Sequence, residues 1–179
     1  MKHLLLALLA FLASTLAAAE PKVTLGVDRL LEPGSEYAHL VEGKRVGLIT
    51  NPSGVDGVLV PTVDRLARDP RLQLVRLFGP EHGIRGEIPA GEKVADARDA
   101  QTGLPVISLY GSTKRPTRES LRDIDVMLFD IQDVGSRTYT YLSTLGEALY
   151  ACAEHGVPLV VLDRPNPLGG TRFEGSLVE

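Results

Sequence analysis

The chain has 179 residues, is 44% hydrophobic, and carries a formal net charge of −4 with a single cysteine. That mildly acidic balance argues against nucleic acid or an anionic membrane surface as a partner, and one cysteine excludes an internal disulfide. The length fits one domain with a real hydrophobic core.

At the N-terminus, Lys2 and His3 precede an apolar run from Leu4 to Leu16 and the small residues Ala17-Ala18-Ala19. This is the pattern of a secretory signal peptide, residues 1–19, cleaved before Glu20. The run is too short to span a bilayer as a stable helix. The expectation is an exported protein, periplasmic or extracellular, with no stable membrane anchor after cleavage and a folded part spanning residues 20–179.

Val27, Leu30 and Leu31 have the spacing of a short helix, followed by a polar, glycine-containing linker. Arg45 to Thr50 reads as a buried strand ending at the turn Asn51-Pro52-Ser53-Gly54. Pro61 to Arg68 predicts a helix with Val63, Leu66 and Ala67 on one face, stopped by Asp69-Pro70. Leu72 to Phe78 is a second strand, broken by Gly79-Pro80 before Glu81-His82-Gly83-Ile84-Arg85-Gly86. Residues 87 to 104 are polar, with a weak helical turn over Ala95 to Ala100, and a connection of this length is usually functional or mobile.

Pro105 to Tyr110 is a third strand, and Thr117 can cap a short helix. Asp125 to Ile131 is a fourth strand. A helix is then predicted from Ser136 to His155, its apolar face made by Tyr141, Leu142, Leu145, Ala148, Leu149 and Cys152. Cys152 reads as a small buried hydrophobe and His155 as a capping residue ahead of Gly156. Pro158 to Asp163 is the fifth strand, leading into Arg164-Pro165-Asn166-Pro167-Leu168-Gly169-Gly170. Strands continuous in Val, Leu and Ile that alternate with helices indicate an α/β fold, a Rossmann-like open, mostly parallel sheet with helices on both faces. The chain finishes on a loop, Arg172 to Glu179, as a piece of something longer would.

Residue types capable of chemistry collect after the strand ends. Asn51 and Ser53 follow the first strand; Glu81, His82 and Arg85 the second; Tyr110, Ser112, Lys114 and Arg115 the third. Asp130, Gln132, Asp133, Ser136 and Arg137 follow the fourth, and Asp163, Arg164 and Asn166 the fifth. In an open parallel sheet those ends share one edge, where ligands bind. No dinucleotide fingerprint, P-loop or nucleophile elbow is present, so no cofactor is expected. What remains is a hydrolase using carboxylates, Glu81 with one of Asp130, Asp133 or Asp163. The apolar flanks of Glu81 suit a general acid. Asp130 and Asp163 serve equally well as anchors for loop amides. Arg85, Arg137 and Arg164 suit a substrate carboxylate or internal ion pairs. A metal-dependent amidase or deacetylase built on Glu81-His82, Asp130 and Asp133 is a rival, though the spacing matches no metal motif.

The runs Gly47 to Gly54, Leu77 to Gly86, Phe129 to Tyr141 and Leu162 to Gly170 together resemble the exo-beta-N-acetylmuramidase (NamZ-type) family, exported bacterial enzymes once known only as a domain of unknown function. The resemblance implies a Rossmann-like N-terminal domain without a nucleotide, then a second domain, with the active site in the cleft between them. It implies a glycoside hydrolase that releases N-acetylmuramic acid from the non-reducing ends of peptidoglycan fragments, so the expected partners are muramyl sugars and the missing C-terminal domain. The lactyl carboxylate of that sugar would give the arginines a partner, and Glu81 would be the leading acid. The candidates are then Glu81, His82 and Asp130 for catalysis. For substrate binding they are Asn51, Arg85, Asp133, Arg137, Tyr139, Asp163, Arg164 and Asn166, with no metal ligand. A non-catalytic cell-wall sugar-binding module is the alternative, because the second wall of the cleft is missing.

Overall fold

The computed structural model describes residues 23–86, 97–111 and 113–176; the expected signal peptide lies outside them. The apolar runs become the strands β1 (Arg45–Thr50), β2 (Gln73–Gly79), β4 (Pro105–Ser108), β5 (Val126–Asp130) and β6 (Leu159–Val161). A sixth, the two-residue β3 (Ala97–Arg98), pairs antiparallel with β4; it lies within the stretch where a helical turn was expected, of which residues 95 and 96 fall outside the described residues. The sheet order is β3-β4-β2-β1-β5-β6, and all pairings except β3–β4 are parallel.

The helices are α1 (Gly26–Leu31), α2 (Thr62–Arg68) and α3 (Tyr141–His155), with a 3-10 turn at Ala38–Leu40. α1 and α2 cover one face, where Val27, Leu30, Val63 and Leu66 pack with Val46, Leu48, Leu77 and Leu128. α3 covers the other, where Ala148, Ala151 and Cys152 pack with Ile49, Phe78, Met127 and Phe129. Alternation along β5 sends Val126 and Leu128 to the first core and Met127 and Phe129 to the second, as a strand buried on both faces requires. Each of these side chains, fully buried, contributes about 1.5–3 kcal/mol.

β2 departs from strict alternation. Its register against β1 slips between Val46 and Gly47, so that Leu74 and Arg76 are paired on either side of an extra residue, Val75. This bulge lets Leu74 and Leu77, three apart, share one core. Arg76 is turned to the opposite face, where it donates to the carbonyls of Ser120 and Arg122.

α3 begins at Tyr141, five residues later than expected, after a turn at 137–138 and bends at 139–140. It ends in the bond pair of a Schellman cap: Gly156 has φ +69°, Gly156 N donates to Ala153 O, and Val157 N to Cys152 O (2.9 Å). Its buried residues are Thr144, Ala148, Ala151 and Cys152. Leu142 and Leu149, expected in the apolar face, are exposed. Burial pushes the Cys152 thiol up to about 11, in keeping with a packing role. The segment after Thr117 forms successive turns rather than a helix and still delivers Leu121 and Ile124 to the core.

Gly54 is held by space. A Cβ there would lie 2.1 Å from Thr50 Oγ1 and 2.8 Å from the backbone oxygen of Asp130. Gly54→Ala is therefore expected to destabilise the fold by about 1–3 kcal/mol, the usual cost of overpacking, read as a lower urea midpoint with unchanged m-value.

Candidate functional site

Strand order reverses around β1, whose neighbours β2 and β5 are reached by crossovers on opposite faces. That reversal opens a crevice at the C-terminal ends of the strands. Five loops meet along this edge, and side chains tie them to one another.

The deepest tie is an ion pair. Asp130, the last residue of β5, has a side chain 0% exposed, and Arg164, after β6, one 5% exposed. Arg164 Nε donates to Oδ1 (2.6 Å) and one terminal nitrogen to Oδ2 (2.9 Å), while that same nitrogen donates to Val55 O (2.6 Å). The hydroxyl of Thr62, in α2, donates to the same Oδ2. The backbone oxygen of Asp130 accepts from Thr50 Oγ1 (2.9 Å). Asp130 and Arg164, expected respectively to catalyse and to hold substrate, are paired with each other; both side chains are buried, and their hydrogen bonds tie the loops together.

Arg85 is engaged in the same way. Its guanidinium donates to Asp99 (2.6 and 3.0 Å) and to Asp64 (2.8 Å). The Arg85 guanidinium holds the Asp99 carboxyl down to about 2, and its own pKa is raised well above the ordinary arginine value by that partner. With Asn51, Arg85 lines a cleft of about 280 Å³ between the loops after β1 and β2. Asn51 Oδ1 accepts from Ser53 N (2.9 Å) and Ser53 Oγ (2.5 Å), an Asx turn. Ser53 Oγ in turn accepts from Gln132 N (2.9 Å), joining the first and fourth loops. Gln132 Nε2 then donates to Pro165 O (2.9 Å), reaching the fifth. Gly86, at φ +78°, brings the second loop against Pro52, 2.9 Å from where its Cβ would stand.

Glu81 stands half-buried two residues beyond β2. Its carboxylate neighbours the hydroxyl of Tyr110, two residues beyond β4, and the interaction with that carboxylate raises the phenol pKa. The Ser108 hydroxyl steadies that tyrosine by accepting from its backbone N (3.2 Å) and donating to its backbone O (3.1 Å). His82 carries φ +73°, a left-handed conformation that costs a non-glycine residue about 1–2 kcal/mol. Gly83 follows at the same φ, and Gly83 N donates to Pro80 O (3.1 Å), so the loop turns back under Glu81. Strain of this kind is concentrated at functional loops.

Asp133 accepts from Gly135 N at Oδ2 (3.0 Å), whereas its buried Oδ1 has no hydrogen-bond partner. A buried acceptor left unpaired costs about 1–3 kcal/mol. Asn166 lies against this loop: a Cβ on Gly135 would be 2.5 Å from Asn166 Oδ1, which accepts from Leu168 N. Arg137 is exposed and donates to Ser176 O (2.9 Å). Two expected residues stand apart. Asp163 lines a groove beside α1, where its backbone oxygen accepts from Gly26 N (2.8 Å), and Tyr139 is half-exposed, edge-on to Tyr141 at 5.9 Å. Among the described residues no three His, Cys, Asp or Glu side chains converge as metal ligands would.

The sequence places Tyr110 at this edge, just past the third strand, but gives it no role, whereas Thr62, Asp64 and Asp99 escape the sequence reading. The other three are partners at sequence separations of 68, 21 and 14 residues that no spacing rule reveals.

Residues 46–179 match the family model described as "Exo-beta-N-acetylmuramidase NamZ, N-terminal". A curated relative, "Peptidoglycan beta-N-acetylmuramidase NamZ" of Bacillus subtilis (strain 168), is 51% identical over 162 residues, 90% of this chain and 38% of the relative. Two crystal structures of DUF1343 family proteins from Bacteroides fragilis NCTC 9343 share the fold. One has a TM-score of 0.78 and 50% identity, covering 89% of this chain and 39% of that one. The other has a TM-score of 0.67 and 32% identity, covering 82% and 36%. The chain thus spans less than two fifths of the length of these relatives.

The Arg85–Asp99 pair makes stability depend on acid. Because the Asp99 carboxyl is depressed in the folded state, its contribution is complete above about pH 4 and is lost as pH falls toward 2. Asp99→Asn is expected to lower the melting temperature at pH 6 and to converge with the unaltered protein near pH 2, in thermal melts across that range.

Proposed function

We propose a glycoside hydrolase, on the premise that the chain belongs to the exo-beta-N-acetylmuramidase NamZ family and corresponds to its N-terminal part. Its substrate is peptidoglycan, and it releases N-acetylmuramic acid from the non-reducing ends of fragments. Residues 20–179 form the N-terminal catalytic domain of an exported enzyme whose second domain supplies the other wall of the cleft. The observation that carries this reading is the pairing of Glu81 with Tyr110 at the crevice where the strand order reverses.

A glycosidase must give a proton to the departing oxygen. Glu81 is the acid: it stands on a glycine-flanked loop at the mouth of the crevice, half in solvent. The Tyr110 hydroxyl fixes its orientation and stabilises the carboxylate charge that appears once the proton has left. His82, forced into its left-handed conformation, is the neighbour that shapes this loop. Asp133 Oδ1 is an acceptor in want of a donor, which a sugar hydroxyl or the amide N–H of an N-acetyl group supplies. With Arg85 and Arg164 held by aspartates, Arg137 is the exposed guanidinium that takes the lactyl carboxylate. The Asp130–Arg164 pair sets the distance between the fourth and fifth loops and touches no substrate.

In the full-length enzyme, assayed on a chromogenic N-acetylmuramide, Glu81→Gln is expected to lower kcat by about 10²–10⁴-fold. Wild-type turnover in that variant removes Glu81 from its role. Tyr110→Phe keeps the ring and loses the hydroxyl, so a smaller fall in kcat is expected. Arg137→Ala is expected to raise KM about tenfold or more with kcat little changed, since a charge-assisted hydrogen bond is worth about 1.5–3 kcal/mol.

A further inference from the structure

The cleft of about 280 Å³ between the loops after β1 and β2 has a lining of two kinds. Part of it is apolar, from Pro61 and from Val63 and Ile84, both buried. The rest is polar, from Asn51, Arg85 and Gln101. Asn51 is itself buried, and chemistry fixes which way its amide faces. Ser53 N can only donate, so the atom 2.9 Å from it is Asn51 Oδ1, which also accepts from Ser53 Oγ. The amide nitrogen has no acceptor among the described residues, and its N–H pair is what Asn51 has left to offer the cleft. Arg85 brings no net positive charge to this wall. Its guanidinium is held by Asp99 and Asp64, two carboxylates against one cation. Such a wall disfavours a substrate carboxylate and leaves room for a neutral acceptor.

A neutral acceptor joined to a small apolar group is the chemistry of an acetamido group, and a sugar hydroxyl or a carboxylate lacks it. The muramyl ring carries its acetamido group on the carbon next to the one whose bond is broken. Glu81 and Ile84 belong to one tight loop, closed by the bond from Gly83 N to Pro80 O, so a ring presented to Glu81 brings that group to the side Ile84 lines. We propose that the cleft is the acetamido subsite, in which Asn51 Nδ2 donates to the acyl oxygen and the acyl methyl packs on Pro61, Val63 and Ile84. This deepens the glycosidase reading and rests on it. A buried donor built for an acyl oxygen rejects a substrate that lacks one, because the donor is then left unpaired. The cleft is several times the roughly 30 Å³ share of one water, so selection comes from the donor and not from size.

Three chromogenic muramides test this on the full-length enzyme: the N-acetyl compound, the N-propionyl compound and the free 2-amine. The unaltered enzyme is expected to turn over the two acyl compounds with similar kcat/KM and the amine about a hundredfold less well or worse. Asn51→Asp keeps the oxygen that Ser53 grips and exchanges the N–H pair for a second carboxylate oxygen, which repels an acyl oxygen and attracts an ammonium. Its acetyl-to-amine ratio is expected to fall by about tenfold or more. An equal loss of rate on both compounds shows that Asn51 only shapes its turn, and overturns the proposal. Gln101, exposed on the turn after β3, gives a second variant should Asn51→Asp fail to fold. Gln101→Trp fills the cleft and is expected to raise KM for the propionyl compound more than for the acetyl one. An unchanged preference there, or an unaltered enzyme that takes the amine as readily as the acetyl compound, overturns the proposal too. An unaltered enzyme that hydrolyses none of the three removes the glycosidase reading and this one with it. Hydrolysis with unmoved discrimination removes this one alone.

Discussion

The edge that carries the candidate site depends on one buried ion pair. Asp130 and Arg164 bring together the end of β5, the loop after β6, the carbonyl of Val55 and, through Thr62, the start of α2. Two charges removed from water are costly to bury, and their attraction repays that cost only when the remaining donors and acceptors are also matched. Here they are. Removing either partner alone would strand the other, at about 3–5 kcal/mol, and would release two loops together. The pair is thus a fastening of the crevice, and it spends one of the residues that otherwise looks best suited to catalysis.

The fold was largely legible in the sequence for a reason the structure makes plain. Strands buried on both faces must be continuous in Val, Leu and Ile, so the runs at Arg45–Thr50 and Val126–Asp130 announce themselves, and their polar sequels mark the edge of the candidate site. α3 was harder. Residues from Ser136 to Thr140 carry no strong helix signal or breaker, and the apolar stripe of Leu142 and Leu149 looks like a core face because it is apolar, although it does not face this core. The strand at Ala97–Arg98 was hidden because an edge of two residues needs only a neighbour to pair with.

The site was legible as a place and less so as a set of roles. Sequence identifies which residues reach an edge, whereas roles depend on partners fixed by packing. Three arginines looked equivalent. Arg85 and Arg164 lie within reach of aspartates on other elements, and Arg137 projects from an exposed turn. The same contrast separates Asp130, saturated and sealed, from Asp133, which keeps one oxygen without a partner. Glu81 gained a tyrosine that sequence had placed in the neighbourhood without connecting the two.

The extra residue in β2 has a consequence for how Glu81 is aimed. A strand behaves like a two-position ratchet, each residue stepping the next side chain to the other side of the sheet. Val75 adds one click between the anchored start of β2 and its exit. Everything downstream, including Gly79, Pro80 and the acid two places beyond the strand, inherits that click. A one-residue deletion there would leave an apolar strand in the sheet and would point Leu77 and Phe78 into each other's cores. The loop would then leave the sheet on the wrong beat, about 3.3 Å short of where it now begins. The length of β2 is therefore constrained at a position that carries only a valine.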